Sequence, residues 1–189
     1  AIGIIGRLTL IKNHTFFLKA IKKLLDDTSR KFKVFIVGDG EDRLALQKTC
    51  SELNLSFNSK DVKDPLIYFT SWRKDMDKVY AGLDIVALTS KNEGTPVTLI
   101  EAQASNKPIV TTDVGGVMDV VKEDITAFVS DKHDHIRFSN NMRMLVEDDS
   151  MRIKMGSAGY NHVSEMFSYK RLVKDMRKLY KDLLNEKNF

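Results

Sequence analysis

Residues 85–104 read IVALTSKNEGTPVTLIEAQA, a short apolar run followed by a polar loop and a stretch with helical character. Four apolar residues without polar alternation predict a strand that is buried on both faces. Pro96 suits the start of a helix, because proline lacks the N–H group that has no partner in a first turn. This stretch therefore predicts a strand, a loop and a helix, the repeating unit of a parallel sheet covered by helices.

The same alternation continues on both sides of residues 85–104. Further strands are predicted at 1–5, 34–37, 67–69, 108–111 and 127–129. One helix is predicted after Asn13, which is its candidate cap, and a second includes Leu44 and Leu53. Two more are predicted from Met76 to Gly82 and after Gly116. Only helical patterns follow residue 131, and the last is a Lys/Arg-rich helix at 169–184.

This order predicts an α/β protein with a doubly wound parallel β-sheet of the Rossmann-like kind. No internal linker is visible, so residues 1–189 are interpreted as one domain with a parallel α/β core at 1–130 and a helical tail at 131–189. Ligands of such sheets bind outside the carboxyl ends of the strands. The loops directly after the strands are therefore the candidate ligand site.

Composition limits the class of protein. A chain of 189 residues with 42% hydrophobic content is large enough for one core. Cys50 is the single cysteine, which excludes an internal disulfide, fits a reducing compartment and leads us to expect a cytoplasmic location. No apolar run approaches the roughly 20 residues that span a bilayer. The formal charge of +4 suits anionic ligands, but it is too small and dispersed to indicate nucleic acid binding.

The loop after the first predicted strand carries two cations, Arg7 and Lys12. Arginine offers a planar fork to phosphate oxygens and lysine a mobile point charge, so the pair could clamp an anion. The alternative is two solvated surface charges, and this loop alone does not decide between them.

The loop at residues 89–96 leads into the helix that begins near Val97 or Thr98, and its first N–H groups favour phosphate. Glu93 precedes this helix and Glu101 lies about one turn inside it. Acidic residues that only complement the helix dipole are the alternative interpretation. A paired-carboxylate hydrolase is a poor match, because eight helical residues rise about 12 Å, whereas glycosidase carboxylates lie roughly 5 to 9.5 Å apart.

Three other motifs are interpreted as structural. Gly38-Asp39-Gly40 lacks the third glycine of a dinucleotide fingerprint and is predicted to be a strand-to-helix turn. Asp75-Met76-Asp77 resembles a metal-binding acidic pair but falls at a predicted helix start, where acidic residues are favourable. His133 and His135, with Asp131 and Asp134, occupy one short polar turn and are predicted to form a surface turn, not a metal site.

Four segments, taken in order, resemble the conserved segments of the family-4 (group 1) glycosyltransferases. They are GRLTLIKN from residue 6, VGDGEDR from residue 37, EGTPVTLIE from residue 93 and KPIVTTDVGG from residue 107. The resemblance extends from about Gly3 to Val129 and implies one half of a GT-B enzyme, the donor-binding half of a retaining hexosyltransferase-type glycosyltransferase. The segment KEDITAF at 122–128 departs from the pattern, with Asp124 and Ala127 where relatives often have glycine, which puts that loop's shape in doubt.

The resemblance also implies a role for each residue of the site, without a metal or a cofactor. Arg7 and Lys12 would bind the donor diphosphate, Glu93 the transferred sugar and Glu101 the ribose. The implied catalytic residues are Glu93, Arg7 and Lys12. The segment Phe69-Thr70-Ser71 would lie near the nucleobase, with contacts that are mostly from the backbone. The backbone amides near Val97 and Thr98 would hold phosphate, and Gly94 and Thr95 are the remaining implied donor contacts.

Further expectations concern partners. The abrupt opening at Ala1 suggests an absent N-terminal domain, which would bind a glycan or lipid-linked acceptor. The basic face of the last helix is interpreted as solvated, with peripheral contact to an anionic membrane as the alternative. Two rival functions stay open: a sugar-nucleotide epimerase of the same fold, and a non-catalytic nucleotide-binding domain.

Overall fold

The computed structural model describes residues 1–186, which contain a six-stranded sheet in the order β3-β2-β1-β4-β5-β6. All neighbouring strands are parallel. The strands are β1 Ile2–Ile5, β2 Val34–Val37, β3 Ile67–Ser71, β4 Ile85–Leu88, β5 Ile109–Thr112 and β6 Ala127–Ser130. The predicted fold class is confirmed: the strand order reverses between β1 and β4, as in doubly wound folds.

Helices cover both faces of the sheet, because its strands are apolar on both faces. One core contains apolar side chains of α1, α2 and α5, and the other contains those of α3 and α4. The helices are α1 His14–Asp27, α2 Arg43–Glu52, α3 Met76–Ala81, α4 Val97–Ala104, α5 His135–Glu147, α6 Asp149–Met166 and α7 Tyr169–Glu186. The last three residues of the predicted tail, 187–189, lie outside the described range.

Two local predictions were wrong. Asn13 precedes α1, but it adopts left-handed φ +53°, and within residues 1–186 its side chain makes no capping hydrogen bond. The helix predicted after Gly116 is a short 3-10 turn at Gly115–Val117. The two glycines that open this turn are not α-helical: Gly115 has left-handed φ +51°, and Gly116 has φ −82° and ψ 18°.

The last helix, α7, lies outside both cores. Every side chain described from residue 169 to residue 185 is exposed, including the apolar ones. In the part of the chain that the structure describes, no helix is both long and apolar enough to span a bilayer. The lipid contact considered for α7 stays a prediction.

Candidate functional site

The candidate site lies at the carboxyl edge of the sheet, where β1 and β4 are neighbours. Loops from four strands meet there because the strands are parallel: residues 6–13 follow β1, 38–42 follow β2, 89–96 follow β4 and 113–116 follow β5. The reversal of strand order opens a crevice at this position. The residues predicted to bind phosphate therefore all lie on loops or helix starts at one edge of the sheet. They are Arg7, Lys12, Val97 and Thr98.

The loops after β1 and β2 are in direct contact, which explains the glycine at position 38. Gly38 has φ +139°, and a Cβ atom there would stand 1.9 Å from the carbonyl oxygen of Gly6. Hydrogen bonds join the two loops, from Gly6 N to Val37 O at 2.9 Å and from Leu8 N to Asp39 O at 2.9 Å. The predicted turn at 38–40 is confirmed, since α2 begins at Arg43.

Asp39, inside that turn, is held as a carboxylate. The backbone N–H of Gly40, followed by the hydroxyl of Ser71 and the charge of Arg43, lowers the pKa of Asp39. Arg43 Nη1 lies 2.9 Å from Asp39 Oδ2 and 2.5 Å from Ser71 Oγ. This cluster ties the loop after β2 to the end of β3.

Lys12 and Glu93 meet across the crevice although 81 residues separate them. Lys12 Nζ donates to Glu93 Oε1 at 2.6 Å, and Ser90 Oγ donates to the same oxygen at 2.6 Å. The Glu93 side chain is only 11% exposed. Among residues 1–186, Glu93 Oε2 has no hydrogen-bond partner, so a ligand hydroxyl can use it.

The loop after β5 packs against the backbone of Glu93, a contact that was not predicted from the sequence. A Cβ atom at Gly115 would stand 1.8 Å from the carbonyl oxygen of Glu93. Gly116 N donates to that oxygen at 3.2 Å, and Thr112 Oγ1 donates to Ser90 O at 2.9 Å. The glycine pair in KPIVTTDVGG was the available signal, because close backbone approach requires glycine.

Arg7 is placed differently from Lys12. Its side chain is 66% exposed and its Nη2 lies 3.3 Å from Glu41 Oε2, which is also exposed. Exposed ion pairs of this kind contribute at most about 1 kcal/mol. The guanidinium can therefore turn toward an anion at little cost, but the structure does not bring it into contact with Lys12 or Glu93.

The N-terminus of α4 is open. Pro96 precedes it, and no side chain within the described residues caps the helix or adds an acidic group to its first turn. Val97 is exposed and Thr98 half-buried, while Gly94 and Thr95 are exposed beside them. Backbone N–H groups and the positive end of the helix dipole together favour an anion here.

Glu101 is held by a tyrosine that the sequence did not single out. Tyr80, on α3, donates its hydroxyl hydrogen to Glu101 Oε2 at 2.9 Å. Burial, and secondly the hydrogen bond to Glu101 and the negative charge of that residue, raise the pKa of Tyr80. The phenol therefore stays protonated and fixes the carboxylate, which is itself exposed.

A cavity of about 230 Å³ lies between β2, β3 and α3, and its lining includes Thr70, Arg73 and Lys78. Phe69, in the segment expected to lie near a nucleobase, has its side chain buried in the core. Its backbone N–H and C=O both bond to the Asn58 side chain, at 2.8 and 3.2 Å. Of the two predicted residues, Thr70 is therefore the one that faces open space.

The two motifs that resemble metal sites are structural turns. Asp75 precedes α3 and pairs with Arg73 at 2.6 Å. Asp131 Oδ1 accepts from His133 N at 2.7 Å, and Asp134 Oδ1 accepts from Arg137 N at 2.8 Å as the cap of α5. Within residues 1–186, no three His, Cys, Asp or Glu side chains lie close enough to hold a metal ion.

Comparison with protein families identifies one match, since the sequence profile described as glycosyl transferases group 1 fits residues 1–162. D-inositol 3-phosphate glycosyltransferase of Corynebacterium jeikeium is 31% identical over 96% of this chain, which spans 43% of that protein. UDP-Gal:alpha-D-GlcNAc-diphosphoundecaprenol alpha-1,3-galactosyltransferase of Escherichia coli is 26% identical over 97% of this chain, which spans 46% of it. The chain thus spans less than half the length of these relatives.

Solved structures agree on the fold. Anabaena Alr3699/HepE in complex with UDP superposes with a TM-score of 0.84 at 20% identity, over 96% of this chain and 48% of that one. The C-terminal domain of a group 1 glycosyl transferase from Francisella tularensis has a TM-score of 0.75 at 22% identity, over 89% of this chain and 86% of that one.

Proposed function

The chain belongs to the group 1 glycosyl transferases, and on that basis we propose that it is the part that binds a nucleoside-diphosphate sugar for retaining transfer of a hexose to an acceptor hydroxyl. One observation carries the proposal. Lys12 and Ser90 bond to Oε1 of Glu93, and within residues 1–186 Oε2 has no partner. This carboxylate lies at the same edge of the sheet as the N-terminus of α4, which no side chain among those residues caps. A carboxylate beside an anion site suits a ligand that carries both sugar hydroxyls and phosphates.

The phosphate end of the donor is assigned to Arg7, Lys12 and the first N–H groups of α4. Departure of the nucleoside diphosphate builds negative charge on its phosphates, and groups already aimed at that charge stabilise the transition state. Arg7 can leave Glu41 because that ion pair is exposed and weak. In this proposal these groups stabilise the charge that a metal ion could otherwise stabilise, so it includes no metal and no cofactor.

The other end of the donor is assigned to the two glutamates and Thr70. Glu93 accepts a hydroxyl hydrogen of the transferred sugar through its free oxygen. Glu101, fixed by Tyr80, accepts the ribose hydroxyls. Thr70, beside the cavity between β3 and α3, contacts the nucleobase. The two glutamates have different hydrogen-bond partners: Lys12 and Ser90 bond to Glu93, and Tyr80 bonds to Glu101. This favours two separate binding contacts over one catalytic pair.

The acceptor is assigned to residues outside this chain, because the matched relatives are more than twice as long. Their names describe acceptors that are an inositol phosphate and a lipid-linked sugar diphosphate. We therefore propose a glycan or lipid-linked acceptor with a free hydroxyl. The relatives are transferases, which favours neither an epimerase nor a non-catalytic domain.

The test is a screen of nucleoside diphosphates and their sugars by thermal shift, followed by calorimetric titration of Arg7→Ala and Lys12→Ala. Loss of one charge-assisted contact costs about 1.5 to 3 kcal/mol, which corresponds to roughly ten- to a hundredfold weaker binding. Lys31→Ala, at an exposed lysine before β2 on the opposite edge, is the control and should bind as tightly as wild type. Unchanged affinity in both site variants would end the assignment of a diphosphate clamp.

A further inference from the structure

The strand β3, beside the cavity that Thr70 lines, ends irregularly. Ile36 of β2 pairs with Phe69. The next residue of β2, Val37, pairs with Ser71, and the register skips Thr70. Thr70 is therefore one extra residue in its strand, as in a β-bulge, and bulges change the direction of a strand and are frequent beside binding sites. The residue proposed to contact the nucleobase thus has a direction that depends on how this bulge is held.

Ser71, which ends β3, has a backbone conformation that is unusual for a residue with a side chain. Its φ is +58°, in the left-handed region that glycine adopts readily. For other residues this conformation is strained and persists only where surrounding contacts hold it. Two contacts from outside β3 do so: the carbonyl oxygen of Ser71 accepts from Gly38 N at 3.1 Å, and its Oγ accepts from Arg43 Nη1 at 2.5 Å.

Arg43, on α2, is itself fixed by two further groups. The same Nη1 atom donates to Asp39 Oδ2 at 2.9 Å, and Asp39 Oδ1 accepts from Gly40 N at 2.9 Å. The guanidinium carbon lies over the ring of Phe69, 5.7 Å from its centroid, a distance at which a cation is attracted to an aromatic face. Arg43 therefore reaches Ser71 from a position that α2, the loop after β2 and the core determine together.

The residue before the bulge is anchored as well. β3 is an outermost strand of the sheet, and the Asn58 side chain bonds to both backbone groups of Phe69, at 2.8 and 3.2 Å. Thr70 therefore lies between two anchored neighbours. Of these anchors, the bond from Arg43 to Ser71 is the side-chain contact that holds a strained backbone, so its loss should move Thr70 the most.

We propose that Arg43 is a positioning residue for the nucleobase contact at Thr70, on which it acts through Ser71. The inference rests on the proposed function, in which the nucleobase lies beside Thr70 and the phosphates are bound by other groups. Arg43 itself touches no part of the donor. It holds the left-handed turn at Ser71 before a ligand arrives, so that binding does not have to order the end of β3.

The first experiment separates the nucleobase from the phosphates. UDP, GDP and ADP are titrated by calorimetry into wild type and Arg43→Ala, with inorganic pyrophosphate as the ligand that lacks a nucleoside. For the nucleoside diphosphate that wild type binds most tightly, we expect Arg43→Ala to bind roughly three- to tenfold more weakly, the effect of losing about one hydrogen bond. Pyrophosphate should bind both proteins equally well, because it makes no contact at Thr70.

The second experiment uses glycine to test how Arg43 acts. Ser71→Gly removes the hydroxyl that Arg43 holds, but glycine adopts the left-handed φ without strain. We expect Ser71→Gly to bind the same nucleoside diphosphate about as tightly as wild type, and Ser71→Ala to bind it about as weakly as Arg43→Ala. In the double variant Arg43→Ala/Ser71→Gly, glycine should restore most of the affinity that Arg43→Ala alone loses. A role in fold stability alone does not predict this rescue.

The control is Arg137→Ala, which removes an exposed ion pair to Glu123 beside β6, at the other end of the sheet from β3. It should bind every ligand as wild type does. Three results would overturn the inference: wild-type affinity in Arg43→Ala, an equal loss of pyrophosphate and nucleoside diphosphate in that variant, or binding by Ser71→Gly that is as weak as that by Ser71→Ala. Wild type that binds no nucleoside diphosphate would instead reject the proposed function, and this inference with it.

Discussion

Glu93 is positioned before any ligand arrives. One carboxylate oxygen accepts from both Lys12 and Ser90, and its own backbone oxygen accepts from Gly116. A side chain held by packing and hydrogen bonds loses little freedom when it binds, so its contact with a sugar hydroxyl is not weakened by ordering. Lys12 therefore orients Glu93, in addition to the phosphate contact that we propose for it.

Tyr80 performs the corresponding task for Glu101, which gives a first prediction. Tyr80→Phe removes the hydrogen bond at 2.9 Å and leaves Glu101 free to rotate. We expect nucleoside diphosphate to bind roughly three- to tenfold more weakly by calorimetry, since one hydrogen bond to a charged group is lost. Tyr160→Phe, at an exposed tyrosine on α6, is the matched control. Wild-type affinity in Tyr80→Phe, with only a lower melting temperature, would mean that Tyr80 supports the fold and not the site.

The buried side chain of His14 gives a second prediction, which concerns how the free energy of unfolding depends on pH. It is 2% exposed, and neither ring nitrogen has a partner among residues 1–186. Burial, and secondly the charge of Lys12, lowers the pKa of His14 from 6.5 to about 4. Below pH 6.5 the unfolded chain therefore binds a proton that the folded chain does not. The contribution of His14 to stability is complete above pH 6.5 and is lost progressively as pH falls to 4, by about 3 kcal/mol.

The measurement compares wild type with His14→Leu in urea unfolding at pH values from 7.5 to 4. As pH falls over this range, we expect the free energy of unfolding of wild type to decrease by about 3 kcal/mol more than that of His14→Leu. Carboxylates such as Asp39 titrate in both proteins, so the difference between the two curves isolates His14. Parallel curves over this range would refute the assignment.

At the scale of elements, apolar runs predicted the strands and helices well, because burial on both faces leaves a continuous apolar run in the sequence. The strands at 34–37 and 85–88 were predicted to the residue, and the start of α4 at Val97 was predicted to within one residue. Prediction failed where contacts between loops decide the backbone. The 3-10 turn at Gly115–Val117 lies against the backbone of Glu93, and Asn13 adopts a left-handed φ that its local sequence did not indicate.

The α7 helix buries none of its described side chains against the rest of the structure. Its apolar side chains occupy one side of the helix and are exposed, while Lys and Arg residues cover much of the other side. We predict that a chain ending at residue 168 keeps its melting temperature within about 2 °C, because almost no buried contact is lost. Its affinity for nucleoside diphosphate should equal that of the full chain.

Differential scanning calorimetry and nucleotide titration of the two chains check this prediction. A loss of many degrees in the shorter chain would show that α7 packs on the sheet domain in solution. Sedimentation of both chains with anionic vesicles addresses the lipid contact considered for α7.

At the scale of the molecule, the parallel sheet determined which residues could form a site, and tertiary pairing determined how they are arranged. From the sequence, four site residues were expected just after a strand or on the helix that follows it, and all four lie near the carboxyl edge of the sheet. They are Arg7, Lys12, Glu93 and Glu101. The Lys12–Glu93 pair could not be predicted, because nothing local marks a contact across 81 residues. Tyr80 was missed for the same reason, since it reaches Glu101 from another helix.

The central claim is that the donor lies along this edge with its sugar at Glu93 and its ribose at Glu101. Calorimetric affinities of wild type, Glu93→Ala and Glu101→Ala for a nucleoside diphosphate and for its sugar test it directly. Glu101→Ala should weaken both ligands by similar factors, roughly tenfold, since both carry the ribose. Glu93→Ala should weaken only the nucleotide sugar, and the diphosphate should bind as before or more tightly, because Lys12 is released from its ion pair. Equal losses for both ligands in Glu93→Ala would contradict the account.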